Sequence, residues 1–536
     1  MRTRAVIATT LAAVVVFGAS TGAGVIADGT PLALLRLPLD GALATVVVTA
    51  LPWRRVRAVV AAIAGLLLLL TLLSAALDRG FREEVGARFN VITGWPELAD
   101  GFGVLRDSAG SAAAIGVLAA LLAASAAAVV AVTLSLLRLG RVLRLVRQGA
   151  VLIGTSSLAA VWAIVALVGA QVVPGLPVAA ADSVDTVVSR SDQAAATERS
   201  QAEFQASGAS DSYADTPTSQ LLTGLRGKDV IVAFIESYGQ VAVQGTSFSK
   251  GVDSVLKAGE KQLAADGYSD QSAWLDSPTY GGVSWLAHST LQTGQWIDSQ
   301  QRYDEVTSGS RFTLSDAFGR AGWRTVSDVP SDAAPWPVGS SFYHYDTQLN
   351  SQNVGYAGPR FSYARIPDQY TWNWFDQHEL RPAHKPLFAE IDFDSSHTPW
   401  TPLPHLVPWN ELGDGSIYDV QPGEGLPPSV VWQSPQHVQQ LYGQSVQYTL
   451  SSLFQFVHRS TDPNLALVVL GDHQPNAEVS GHSSNHVVPI SIISKDPSVF
   501  HAISAWHWQP GMLPSPDAPL WRMSAFRNRF LDAFDG

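Results

Sequence analysis

Apolar residues fall in two patterns along this chain. Before Pro174 they form long stretches near residues 5–27, 34–53, 58–77, 111–136 and 149–173. Each holds roughly 20 residues or more, the length a helix needs to cross a hydrocarbon core, so the pattern predicts a bundle of about five transmembrane helices. The second stretch is interrupted by Arg36, Pro38 and Asp40. The first begins like a signal peptide, with Arg2 and Arg4 ahead of an Ala- and Val-rich run, but more membrane follows it and it reads as a retained span. Arg2 and Arg4, then Arg54, Arg55 and Arg57, then Arg138, Arg141, Arg144 and Arg147 occupy alternate connections. By the positive-inside rule those clusters are cytoplasmic, which puts the loop at 78–107 and everything after Pro174 outside. An odd number of spans with the N-terminus inside gives the same result.

Beyond the spans (residues 1–173) the chain turns polar. Residues 174–227, rich in Ser, Ala, Asp and Gln, read as a linker with a helical part near 191–205. From 228 to 536 short apolar runs alternate with helical patterns. Strands are expected at 229–236, 325–329, 387–393, 465–470 and 488–494, and helices at 252–265, 284–293, 313–321 and 435–458. That alternation predicts an α/β sheet with helices on both faces. The Trp-, Tyr- and Pro-rich section at 332–380 reads as irregular loops over a site.

Composition sharpens this division. A chain that is 46% hydrophobic and 15% charged is too apolar for an ordinary soluble protein of 536 residues. With no cysteine, the outer domain has neither disulfides nor Cys-based nucleophiles, and its stability rests on a conventional core. The formal charge of −12 and the lack of a basic stripe argue against nucleic acid. All 13 histidines follow Tyr280.

The chemistry gathers at strand ends. The run LALVVLGDHQP at 465–475 is a buried strand ending on Asp472 and His473, and DVIVAFIE at 229–236 ends on Glu236. In open α/β sheets ligands sit at such ends. A carboxylate pair with a histidine suits a divalent transition metal better than calcium; read singly, Asp472 is equally a helix cap and His473 a surface residue. Between them PTYGG at 278–282 is a turn, and Ser284 opens a helix where free amides favour an anion. Ser284 is a plain N-cap on one reading, and on the other a nucleophile that a nearby metal activates.

Glu236 after a strand, Ser284 with LQTG ending at Gly294, His397-Thr398-Pro399-Trp400 and Gly471-Asp472-His473-Gln474 stand in an order that resembles the sulfatase-like branch of the alkaline phosphatase superfamily. The whole chain looks like that branch's membrane-bound lipoteichoic acid synthases and phosphoethanolamine transferases, which join about five spans to an outward-facing catalytic domain. The resemblance implies an alkaline-phosphatase-like α/β fold for 228–536 and a Mn²⁺ or Zn²⁺ ion held by Glu236, Ser284, Asp472 and His473. It also implies Ser284 as the group that attacks phosphorus and His397 as a contact to the phosphoryl group. His486 matches a histidine that relatives place near a second metal or the substrate. His288 falls on the arginine of true sulfatases and joins His486 as a candidate for either role. Trp336 and His344 lie in the loops where relatives bind the headgroup, His482 and His405 are weaker candidates, and Asp368 looks like a structural turn. The chain departs from sulfatases at Leu286 and His288, which disfavours formylglycine conversion and favours direct attack by the Ser284 oxygen.

The expected function is therefore metal-dependent phosphotransfer or phosphodiester cleavage in the cell envelope. The donor is a membrane lipid headgroup, and the acceptor a glycan, a glycolipid or water. The rivals are a sulfuric ester hydrolase and a non-catalytic glycan-binding protein. Transport is disfavoured because the spans carry almost no charge midway.

Overall fold

A computed structural model describes the chain except residues 1, 110, 146–156, 209–210, 482–484 and scattered positions between 158 and 180. The fold comprises N-terminal apolar helices and an α/β domain, and the chain divides into two compact units, residues 1–82 with 87–200 and residues 83–86 with 201–536.

In the first unit the helices are α1 (Arg2–Asp28), α2 (Leu39–Ala50), α3 (Arg54–Glu84), α4 (Trp95–Ala109), α5 (Ser111–Leu145) and the start of α6 (Asp182–Gly208). Of these, α1, α3 and α5 are long and apolar enough to cross a membrane. The second expected span becomes the 12-residue α2, about 18 Å long and too short to cross as a helix. Pro38 stands at its N-cap and Pro52 follows its end, so neither flank extends it. The fifth expected span lies largely outside the described residues. The linker is more helical than its composition suggests, since α6 runs unbroken for 27 residues.

Arg138 and Arg144 lie at one end of this bundle. Arg138 donates to the Ala5 carbonyl at 2.7 Å, and Arg144 Nε donates to that of Thr49 at 2.8 Å. The C-terminal end of α5 therefore meets the start of α1 and the residues just before α3. At the other end Arg190 of α6 pairs with Asp78 of α3 at 2.6 Å, and Ser183 N–H donates to Asp40 at 2.8 Å.

In the second unit nine strands form one sheet: β1 (Asp229–Ile235), β2 (Ser269–Asp276), β3 (Arg324–Val329), β4 (Thr347–Asn350), β5 (Leu387–Phe393), β6 (Leu465–Gly471), β7 (Val487–Ser494), β8 (Gln509–Pro510) and β9 (Leu520–Arg522). The order is β8-β2-β7-β6-β1-β5-β3-β4, with β9 alongside β2. Strands β6, β1, β5, β3 and β4 are mutually parallel, and β7 runs antiparallel to β6 and β2.

Alternation along the parallel strands divides the interior into two cores. Ile231, Ala233, Ile235, Leu387, Ala389, Ile391, Leu467 and Val469 face one side, under α7 (Ser249–Ala265) and the long helix Pro435–Arg459. Val230, Val232, Phe234, Phe388, Val468 and Leu470 face the other, under α8 (Ser284–Thr293) and α9 (Leu314–Ala321). Thr313 starts α9 with a reciprocal capping box to Asp316, which satisfies two free amides at its N-terminus. On the second face Phe318 stacks on Phe388 at 4.2 Å.

Four strands fall outside the expected set, of which β8 and β9 are two and three residues long. The first half of β2 is polar, so its alternation is weak, and β4 is only four residues long. The section at 332–380 is also more ordered than its composition suggests. It contains β4 and a buried helix, Asp368–Phe375, whose Asp368 accepts from the Ser395 amide at 3.0 Å and braces the turn after β5.

Candidate metal centre and active site

Register alone brings the first groups together. Ile235 pairs with Gly471 and with Phe393, so Glu236, Asp472 and the turn leading to His397 leave the sheet side by side at its carboxyl edge. Gly471 is obligatory there, because a Cβ at that position would stand 1.9 Å from the Tyr238 carbonyl oxygen. Ser284 enters from above as the first residue of α8. The preceding Val283 has φ 57°, a left-handed conformation costly for a β-branched residue, which turns the chain from the Gly281-Gly282 turn into the helix.

Four side chains converge. Ser284 Oγ donates to Glu236 Oε2 at 2.9 Å and lies 3.1 Å from His473 Nε2. His473 Nε2 stands 3.4 Å from both Glu236 Oε1 and Asp472 Oδ2. His473 Nδ1 lies 2.8 Å from the Gln474 carbonyl oxygen, to which it donates, so that Nε2 offers a bare lone pair. Ser237, itself at φ 57°, donates its hydroxyl to Glu236 Oε1 at 2.7 Å and its amide to Asp472 Oδ1 at 2.8 Å. Ser396 donates to the Glu236 carbonyl at 2.6 Å.

The donor set fits a divalent ion. Atoms held about 2.1 Å from one tetrahedral ion stand about 3.4 Å from each other, beyond hydrogen-bond range, and the imidazole-to-carboxylate distances here are 3.4 Å. Glu236, Asp472 and His473 are all buried, which leaves two carboxylates against one imidazole. Burial works to raise the pKa of Glu236, but the imidazoles of His473 and His397 and hydrogen bonds from Asp472 and Ser237 hold it down at about 2. Asp472 is pushed up to about 7 by burial and by the charge on Glu236. The two carboxyls thus share one charge and one proton, an arrangement that a cation reverses.

His397 lies at the margin of this cluster. Its ring stacks on Tyr363 at 3.5 Å, and its Nδ1 is 2.5 Å from the Thr398 carbonyl oxygen, to which it donates. Burial lowers its pKa, against the pull of Glu236. His486 is half-buried, with Nδ1 3.2 Å from the Ser277 carbonyl oxygen and its ring 5.7 Å from Tyr280; burial lowers its pKa too. His288 is drawn into a second cluster with Glu390 and Asp392.

The remaining candidates lie elsewhere. His344 is 61% exposed and bound to Asp316 at 2.5 Å. Trp336 is half-buried against Tyr343 at 5.3 Å. His405 is exposed, 3.8 Å from Glu424, and His482 lies outside the described residues. The sequence reading passed over Ser237, Ser396, Tyr363, Glu390 and Asp392. For the last two a signal exists, since two acidic residues alternate within the otherwise apolar strand LFAEIDF.

No family model matches the chain, and no curated protein matches it. Solved structures do resemble it. One is the integral membrane protein lipooligosaccharide phosphoethanolamine transferase A from Neisseria meningitidis (13% identity, 98% of this chain and 95% of that one, TM-score 0.47). Another is the lipoteichoic acid synthase LtaP from Listeria monocytogenes (12% identity, 59% of this chain and 74% of that one, TM-score 0.36). A third is a protein in the alkaline phosphatase superfamily from Vibrio parahaemolyticus (17% identity, 53% of this chain, TM-score 0.36), of which this chain spans 65%. The chain is similar to proteins of that superfamily.

Proposed function

We propose that this protein is a metal-dependent membrane phosphotransferase or phosphodiesterase in which Ser284 is the nucleophile and a phospholipid headgroup is the donor. The observation that carries this reading is the position of Ser284 Oγ, 2.9 Å from Glu236 and 3.1 Å from His473, at the N-terminus of a ten-residue helix. Glu236, Asp472 and His473 would hold the ion with Ser284. When bound, a Mn²⁺ or Zn²⁺ ion supplies charge that lowers the hydroxyl pKa and neutralises a transferred phosphoryl group.

Glu236 is the acceptor of the Ser284 proton in this arrangement. The Ser284 oxygen then attacks phosphorus, the bond from phosphorus to the leaving oxygen breaks, the departing alkoxide takes a proton from water, and the phosphoryl group rests on Ser284. Amides at the start of α8 favour its negative charge. His397, with Nδ1 engaged, presents Nε2 to take a proton from the incoming hydroxyl of a glycan, glycolipid or water; that oxygen bonds to phosphorus, the bond to the Ser284 oxygen breaks, Glu236 returns its proton to Ser284, and His397 gives its own to water. The three long apolar helices support a membrane-bound enzyme that meets its lipid donor at short range.

The test uses the full chain in detergent, supplied with Mn²⁺ or Zn²⁺, beside Ser284→Ala. Each is offered phosphatidylglycerol, phosphatidylethanolamine and an aryl sulfate. Metal-dependent diacylglycerol release, reduced at least 1000-fold in the variant, is the expected result. Sulfate release alone makes the protein a sulfatase, and release unchanged in Ser284→Ala removes the proposed nucleophile.

A further inference from the structure

One helical turn beyond Ser284 lies a set of groups that the reaction above does not use. Residues four apart share a helix face, so His288 points toward the same side of α8 as Ser284. There it meets the β5 residues that face this core. Asp392 pairs in register with Phe234, Glu390 with Val232, and the His288 ring stacks on Phe234 at 3.9 Å with 22° between the planes.

The spacing is that of ligands rather than of a salt bridge in contact. His288 Nδ1 stands 3.4 Å from Asp392 Oδ2 and 3.7 Å from Glu390 Oε1. Both exceed ordinary hydrogen-bond lengths and lie close to the roughly 3.4 Å expected between donors on one tetrahedral ion. The Glu236, Asp472 and His473 cluster shows the same separation. The surroundings also orient the donors. Gln292 Nε2 and Tyr345 Oη both donate to Glu390 Oε2, the latter at 3.2 Å, which leaves Oε1 turned to His288. Such outer hydrogen bonds fix metal-ligating carboxylates.

A second observation points to a missing partner. Asp392 Oδ1 is fully buried without a hydrogen-bond partner among the described residues, and so is Oδ2 of Asp394, a residue 5% exposed. Buried carboxylate oxygens rarely stay unsatisfied. Asp328, 2% exposed, also lies within electrostatic reach of Asp392. An acidic floor of this kind, facing one imidazole, would repel a phosphoryl group unless a cation covered it.

We propose that His288, Glu390 and Asp392 form a second divalent-cation site, one turn along α8 from Ser284. One imidazole and two carboxylates make a mixed nitrogen and oxygen set that accepts Mn²⁺ or Zn²⁺. The site rests on its own geometry and stands whether or not Ser284 is the nucleophile.

The experiment strips the detergent-solubilised full chain with EDTA and reloads it with Mn²⁺ or Zn²⁺. Bound metal per chain is then measured by mass spectrometry, alongside the metal-induced rise in melting temperature. Two ions are expected in the parent, one in His288→Gln, Asp392→Asn and Asp472→Asn, and none in Asp472→Asn combined with His288→Gln. EDTA-stripped melts within a few degrees of the parent show that the variants still fold; a variant that fails this is replaced by Glu390→Gln. A parent that binds only one ion, kept in His288→Gln and Asp392→Asn, overturns the proposal, as do two ions that survive both substitutions. Loss of an ion in His288→Gln while Asp472→Asn keeps its full complement supports the second site and removes the first.

Discussion

Asp328 sits in the interior of β3, 2% exposed and close to Asp392, and burial followed by that second carboxyl raises its pKa to about 8. An ordinary Asp titrates near 3.9. Between those two values the folded chain holds a proton that the unfolded chain has lost, so stability falls as pH rises, by at most about 1.4 kcal/mol per pH unit from this one group. Asp328→Asn removes the titration. Its melting temperature in metal-free buffer should lie nearest the parent's at about pH 4 and exceed it increasingly toward pH 8. A parent-to-variant difference that is flat across that range would show that Asp328 titrates normally. The same physics at Glu236 and Asp472 has another outcome, because there a histidine and a serine face the shared charge and turn an electrostatic burden into a ligand set.

At the scale of elements, the site depends on where strands stop. Strand β6 ends beside the turn that follows β1 only because Gly471 has no side chain; a Cβ would lie 1.9 Å from the Tyr238 carbonyl oxygen, part of a backbone that cannot swing aside. Gly471→Ala should therefore cost about 1–3 kcal/mol in stability and weaken metal binding at Asp472 by at least tenfold. Gly423→Ala, with nothing within 4 Å, should leave both unchanged. Equal effects of the two substitutions on metal titration would detach the ligands from the strand end. These strand ends were legible in the sequence because β1 and β6 are continuous apolar runs ending on charged residues, and the start of α8 was legible from its Pro-Thr-Tyr-Gly-Gly turn. Strand β2 was not, since Ser269, Asp270 and Gln271 hide its pairing with β7. The length of α2 was not read either, because a hydropathy window averages across Pro38 and Pro52, where the helix breaks. His344 was placed by composition, and it stands on the surface beside Asp316. Glu390 and Asp392 were missed because their partner, His288, is distant in sequence and meets them only through the packing of α8 on β1 and β5.

For the whole molecule, the first unit carries information on orientation. Arg138 and Arg144 at the C-terminal end of α5 reach the backbone near Ala5 and Thr49, at the end where Arg54, Arg55 and Arg57 open α3. Helix α6 is fastened at the opposite end, through Arg190 to Asp78 and Ser183 to Asp40, away from Arg138 and Arg144. The sequence clusters Arg54, Arg55, Arg57, Arg138, Arg141 and Arg144 would by the positive-inside rule stay in the cytoplasm, which predicts that the sheet domain lies outside. The chain has no native cysteine, so single substitutions report topology without background. Ser310→Cys, exposed in the sheet domain, should react with a membrane-impermeant maleimide in intact cells, and Arg55→Cys, exposed at the start of α3, only after lysis. The reverse pattern would invert the protein and leave it cytoplasmic phospholipid to act on. Protection of both positions until lysis would break the link between the arginine end and the direction of the chain, and with it the proposed outer-leaflet donor.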